Sequence, residues 1–171
     1  MRRPLAAVLS LTLAFATGGC QSVGQEDRVE QFLSDQYDLD SYEDATVDLN
    51  GDGIAEHIVL STGAGYCGAT GACTLFILRD DDGRLETVGR IPAVRPWVTV
   101  LPTTSNGWQD LGFVVKADPE THYHGVIEFN GEQYLKRETD RRIDWTASPP
   151  GQVLFDRASM GRSRERGAFL R

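Results

Sequence analysis

The chain is poor in the features that name most functions. Its longest apolar run, Leu5–Ala16, is about a dozen residues, short of the roughly 20 that a membrane-spanning helix needs. No Gly-x-Ser-x-Gly stands between a strand and a helix, and no phosphate-cradling glycine loop is present, which removes the commonest signatures of serine hydrolases and nucleotide-binding enzymes. Basic residues are scarce: from Gln21 to Asp156, 24 acidic side chains face ten basic ones. A body so charged makes a poor nucleic-acid binder, because phosphate contacts need a basic surface. The 18 glycines and 7 prolines are scattered without a period, so the chain is neither collagen-like nor an array of repeats.

What remains fits one domain. The chain has 171 residues, of which the first nineteen read as a leader, and the remaining length of about 150 matches a single core. With 40% hydrophobic and 9% aromatic residues there is apolar material to fill it. The formal charge is −8, and it is unevenly spread. Arg157–Arg171 carries five arginines against Glu165 alone, a basic tail that reads either as a solvated end or as a segment touching anionic lipid or the acidic body.

The leader gives an address. Arg2 and Arg3 precede the apolar Leu5–Ala16 run, and Thr17-Gly18-Gly19 puts small residues before Cys20, the layout of a signal peptide. Small residues ending in cysteine resemble the lipobox of bacterial lipoproteins. That resemblance implies acylation of Cys20, which becomes the mature N-terminus, and acyl chains that hold the protein at a membrane by about 0.8 kcal/mol per buried methylene. The following residue is Gln21 rather than the aspartate that favours inner-membrane retention in the family, so the resemblance implies the outer membrane, facing the periplasm. The alternative is ordinary secretion after cleavage nearby. Residues 1–19 are thus expected to be the signal peptide, 20–26 a lipidated tether, 27–156 the folded domain and 157–171 the tail.

Hydrophobic spacing predicts a mainly β domain. Val29, Phe32 and Leu33 in Glu26–Gln36 mark one short amphipathic helix. Eight β-rich runs follow: 45–48, 57–62, 73–79, 85–91, 97–101, 111–117, 125–129 and 133–136, with Val153–Phe155 as one last short piece. Asp82-Gly83, Asn106-Gly107 and Asn130-Gly131 are pairs that tolerate positive φ in tight hairpins. The pattern is that of an antiparallel meander, sandwich-like or blade-like. Thr74–Leu78 is apolar on both alternating faces, which marks a central strand covered on both sides.

The most informative stretch is Asp48-Leu49-Asn50-Gly51-Asp52-Gly53-Ile54-Ala55-Glu56. Side-chain oxygens fall at positions 1, 3, 5 and 9, Gly53 allows a sharp turn at position 6, and the Ile54 carbonyl is available at position 7; such alternation lets one loop surround a calcium ion with oxygens. Position 12 is Val59 and the flanks read as strands, so it is no EF-hand. The loop resembles the Asp-x-Asn-x-Asp-Gly-x-x-Glu/Asp loop of FG-GAP and VCBS-type β modules, the integrin-α kind, where it joins two strands and binds Ca2+. The resemblance implies Asp48, Asn50, Asp52, the Ile54 carbonyl and Glu56 as ligands. Cys67-Gly68-x-x-Gly71-x-Cys73 before a hydrophobic strand is also similar to a pattern in bacterial secreted proteins that open with such a loop. The competing reading is a turn whose polar groups satisfy its own backbone. Against it, Asp48, Asp52 and Glu56, with Glu43 and Asp44 close in sequence, repel one another without a cation or solvent between them.

With Cys20 acylated, Cys67 and Cys73 are left to pair in an oxidising compartment, as a local staple contributing roughly 2 kcal/mol; a redox or thiolate role would prefer closer Cys or His neighbours. His122-Tyr123-His124 would need His57 as a third zinc ligand; otherwise these are exposed loop histidines. Asp80-Asp81-Asp82 reads as a solvated hairpin end. Trp97, Trp108 and Trp145, with Tyr66, Tyr123 and Tyr134, either line a ligand groove or fill a small β core. The expectation is therefore a non-enzymatic, membrane-anchored lipoprotein with a structural calcium loop, binding an envelope protein or glycan or serving envelope assembly. A secreted hydrolase or carbohydrate-active domain and a detached propeller-like module of a larger assembly are the alternatives.

Overall fold

The computed structural model describes residues 23–116, 118, 120–144, 146–158 and 164–165. Cys20, Trp145 and most of the basic tail therefore lie outside the described residues. One helix, α1 (Val23–Tyr37), precedes β1 (Ser41–Val47), β2 (Glu56–Ser61), β3 (Cys73–Asp81), β4 (Arg84–Ser105), β5 (Trp108–Lys116), β6 (His122–Phe129), β7 (Tyr134–Ile143), β8 (Gln152–Phe155) and β9 (Arg164–Glu165).

The sheet order is β7-β6-β5-β4-β3-β2-β1-β9, with β8 paired to β4. From β1 to β7 every neighbour in sequence is a neighbour in space, and every pairing is antiparallel. The expected meander is therefore the architecture. Asp82-Gly83 and Asn106-Gly107 make its tight turns, with φ of 50° and 87°, and 51° and 84°, the double left-handed geometry of a two-residue hairpin. At the third turn only Gly131 is left-handed. There Asn130 acts through its side chain, whose Oδ1 accepts from the N–H groups of Glu132 and Gln133.

The two expected runs 85–91 and 97–101 form one strand, β4, and its prolines explain both the expected gap and the observed bend. Pro92 and Pro96 lack an N–H, and Ala93 between them is left-handed at φ 56°. Across this stretch β4 changes partners, pairing with β3 as far as Val94 and with β5 from Arg95 onward. The sheet thereby curls on itself. Leu49, Ile58 and Leu60, Leu75 and Ile77, Val88 and Val98, Leu111 and Phe113, Ile127 and Tyr134 all meet in one inner core. Gly89 marks how tightly it closes: a Cβ there would stand 3.0 Å from that of Tyr134 on β7 and 2.8 Å from Ile77 Cδ1.

The helix covers the outside of β1–β4. Val29 and Leu33 pack on Tyr42, Val59, Phe76 and Leu78, so β3 buries Leu75 and Ile77 inward and Phe76 and Leu78 outward, as its doubly apolar pattern predicts. The helix ends where Asp38 turns left-handed and Leu39 N donates back to the Leu33 carbonyl, six residues earlier, a closure that usually takes glycine. At its other end Arg28 reaches Asp80 Oδ2 at 2.8 Å and the Gly83 carbonyl at 2.7 Å. Asp80 is thus the helix's anchor on the β3–β4 hairpin, while Asp81 and Asp82 are exposed.

A candidate cation-binding loop

Asp48–Ala55 joins β1 to β2, and its backbone is organised by its own side chains. Asp48 accepts from Gly51 N at 2.7 Å and from Gly53 N at 2.9 Å; Asn50 Oδ1 accepts from Asp52 N, and Asp52 Oδ1 from Ile54 N. Gly51 and Gly53 are left-handed at φ 75° and 86°, which turns the chain tightly enough for those bonds. Leu49, 1% exposed, drives its side chain into the inner core. Its carbonyl accepts from Gln109 N at 2.7 Å, and the Gln109 carbonyl accepts from the Tyr134 hydroxyl at 2.8 Å. The loop is thereby tied to β5 and β7, on the far half of the sheet.

Glu56, the first residue of β2, is fully buried. Its Oε2 accepts from Leu49 N at 2.7 Å, and its Oε1 faces Asn50 Nδ2 at 3.4 Å; the same amide nitrogen donates to Asp52 Oδ2 at 2.7 Å. Burial, offset by the Leu49 hydrogen bond and reinforced by the charges of Asp52 and Asp48, raises the Glu56 pKa above the usual carboxylate range. Among the described residues no lysine, arginine or histidine is ion-paired with Asp48, Asp52 or Glu56.

The structure thus gathers Asp48, Asn50, Asp52 and Glu56 around one loop. Glu43 and Asp44 are not part of it, for they lie opposite Leu60 and Val59, four and three ladder positions up β1 from the Val47–Glu56 pair at the loop's edge. Ile54 has an exposed side chain. Among the described residues no three His, Cys, Asp or Glu side chains are already drawn together at metal-ligand spacing. The donor set nevertheless fits a hard cation, being all oxygen on alternate residues. Each carboxylate oxygen that accepts one N–H keeps a further lone pair, and the bridge that an ion would replace is the Asn50 amide between Asp52 and Glu56. Sequence reasoning, which placed Tyr134 in a groove or core, missed the tie of Gln109 and Tyr134 to the loop, because that tie is tertiary; burial raises the Tyr134 pKa, with Glu56 and Asp110 adding to it.

Cys67 and Cys73 form a disulfide with Cα atoms 4.0 Å apart. Their ring is closed by Gly68 N to the Ala72 carbonyl and Gly71 N to the Gly68 carbonyl. The histidines diverge: His57 is buried on the helix-covered face of β2 beside Asp44 and Asp80, whereas His122 and His124 lie on β6. Trp108 stacks on Phe129 at 4.6 Å inside the core, and Trp97 is half-buried. Among the described residues no helix is long and apolar enough to cross a membrane. Compared with known proteins, the chain matches no family model, and neither a curated protein nor a solved structure is significantly similar to it.

Proposed function

We propose that the chain is a non-enzymatic, lipid-anchored envelope protein whose β1–β2 loop binds Ca2+ as a structural ion. The reading rests chiefly on Glu56: a carboxylate fully buried beside Asp48 and Asp52, with no basic side chain among the described residues ion-paired to it, is most simply compensated by a cation. Asp48, Asn50, Asp52, Glu56 and the Ile54 carbonyl would hold the ion, which would lock the loop rather than act on a substrate. The lipobox-like Thr17-Gly18-Gly19-Cys20 supports the address: acylation at Cys20, an outer-membrane position facing the periplasm, and a protein or glycan partner in the envelope. A Cys67–Cys73 disulfide is consistent with such an oxidising compartment.

Calcium titration of the purified protein, followed by melting temperature, tests the metal. At free calcium 100-fold above Kd the folded state should gain about 2.7 kcal/mol, and Asp52→Ala should abolish the gain. Equal melting temperatures in calcium and in chelator would refute it. Radiolabelled palmitate incorporation at Cys20, lost in Cys20→Ala, tests the anchor.

A further inference from the structure

On the helix-covered side of the sheet, aromatic rings from separate segments gather at one point. Tyr37 closes α1, Phe76 lies on β3 and Tyr66 stands between β2 and β3. The Tyr37 and Phe76 ring centroids are 4.7 Å apart and those of Tyr66 and Phe76 5.5 Å apart. Bonds elsewhere fix these rings. The Tyr37 hydroxyl donates to Thr87 Oγ1 at 2.8 Å, and the Tyr66 hydroxyl donates to the Tyr37 carbonyl. Tyr66 N donates to the Gly63 carbonyl, and the Tyr66 carbonyl accepts from Thr74 N. Phe76 is fully buried, while Tyr37 and Tyr66 are half-buried.

A cation already sits among them. Arg90, the cross-strand partner of Phe76, places its guanidinium carbon 5.6 Å from the Tyr37 centroid, 5.7 Å from that of Tyr66 and 5.9 Å from that of Phe76. These distances lie at the outer reach of a cation–π contact, about 6 Å, so the hold is loose. Arg90 is exposed, and among the described residues no carboxylate or other acceptor is paired with its guanidinium. The N–H groups of the fork are left to water, and the rings alone keep the side chain in place.

We propose that Tyr37, Tyr66 and Phe76 form a cage for a ligand bearing a quaternary ammonium group, with Arg90 as its displaceable occupant. The guanidinium marks where a cation sits among the π faces, and its loose hold makes it easy to displace. Ordering an exposed arginine costs rotamer freedom, and here no hydrogen bond or ion pair offsets that cost. The walls also select the ligand. A trimethylammonium group has no N–H and needs no acceptor, so aromatic faces without a paired carboxylate suit it. A primary ammonium is strongly hydrated and carries three donors, and it loses more on entering such a box. The acid-rich body, with 24 acidic against ten basic side chains from Gln21 to Asp156, draws cations toward the surface. The cage shares no residue with the calcium loop and stands whether or not that loop holds a metal.

Titration of the purified protein with choline chloride, followed by NMR of the tyrosine ring protons against sodium chloride at equal ionic strength, tests the cage. Saturable shifts are expected, with binding about five- to ten-fold tighter in Arg90→Ala, where the ligand no longer competes with the side chain for the rings. Arg90 is exposed, so this variant keeps the fold. Arg90→Ala/Tyr66→Leu should lose binding, whereas Arg90→Ala/Tyr66→Phe, which keeps the ring, should retain it. Ethanolamine should bind about ten-fold more weakly than choline. Absence of saturable binding to Arg90→Ala, affinity no higher than in the native chain, binding retained in the Tyr66→Leu variant or lost in the Tyr66→Phe variant, or equal binding of ethanolamine would overturn the proposal. Phosphatidylcholine vesicles identify the source: competition with choline assigns the group to a lipid headgroup, and its absence assigns it to a soluble ligand.

Discussion

Asn50→Asp separates a metal loop from a self-satisfied turn by the sign of its effect. The substitution deletes the amide donor that faces Asp52 Oδ2 at 2.7 Å and Glu56 Oε1 at 3.4 Å and puts a fourth carboxylate among Asp48, Asp52 and Glu56. The short bond, to a charged but exposed acceptor, is worth about 1.5 kcal/mol, at the low end for charged partners, and the long one contributes little. Added repulsion at ~4 Å lies between about 1 kcal/mol in water and about 4 kcal/mol at a protein surface. In chelator the variant should therefore lose about 2.5–5.5 kcal/mol, a fall in Tm of several degrees or more for a domain of this size. In calcium the new carboxylate becomes a ligand with full charge, affinity rises, and the calcium-induced Tm shift should exceed that of the native chain. Differential scanning calorimetry with and without chelator reads both arms. Equal losses in the two would refute the reasoning and leave the loop as a turn.

The raised Glu56 pKa makes a pH prediction for the calcium-free protein. The folded chain keeps a proton that the unfolded chain loses near 4.5, so between that value and the raised one stability should fall as pH rises; saturating calcium should flatten this slope, as denaturant melts across pH would show. Replacing both Cys67 and Cys73 by serine should cost roughly 2 kcal/mol by the chain-entropy argument, read as an earlier urea midpoint with unchanged slope; no change would mean that the ring is already closed by its hydrogen bonds. Gly89→Ala should destabilise by about 1–3 kcal/mol through overpacking, since the new methyl meets Ile77 and Tyr134. A neutral result in thermal melts would show that β7 does not lie as close to β4 as the structure places it.

Local chemistry is what the sequence displays most plainly. The helix, the order of strands, two of the tight turns and the double burial of Phe76 and Ile77 follow from spacing and turn residues. The single bent β4 was hidden because Pro92 and Pro96 are read as breakers, whereas here they sit where the strand exchanges one partner for another. β6 starts at His122 and β7 runs to Ile143 because cross-strand pairing extends strands past their apolar stretches. Arg164–Glu165 pairs with Ser41–Tyr42 inside a tail whose arginine-rich composition carries no strand pattern.

The loop shows the same division, and the division bears on what an ion there would do. Asp48, Asn50, Asp52 and Glu56 are legible at fixed spacing because one short segment brings them together. The bonds from Leu49 to Gln109 and from Gln109 to Tyr134 span 60 and 25 positions, so no local pattern announces them. Yet these long-range bonds join the β1–β2 end of the sheet to β5 and β7, across the inner core that Leu49 and Tyr134 share. An ion that stiffens Asp48–Glu56 would therefore hold the curled sheet closed as well as the loop. Such a role requires that Leu49→Ala, by emptying the loop's seat in the core at a cost of about 2–5 kcal/mol, also shrink the calcium-dependent gain in Tm. A full calcium gain on the weakened background would show that the loop binds its ion without reporting to the rest of the sheet.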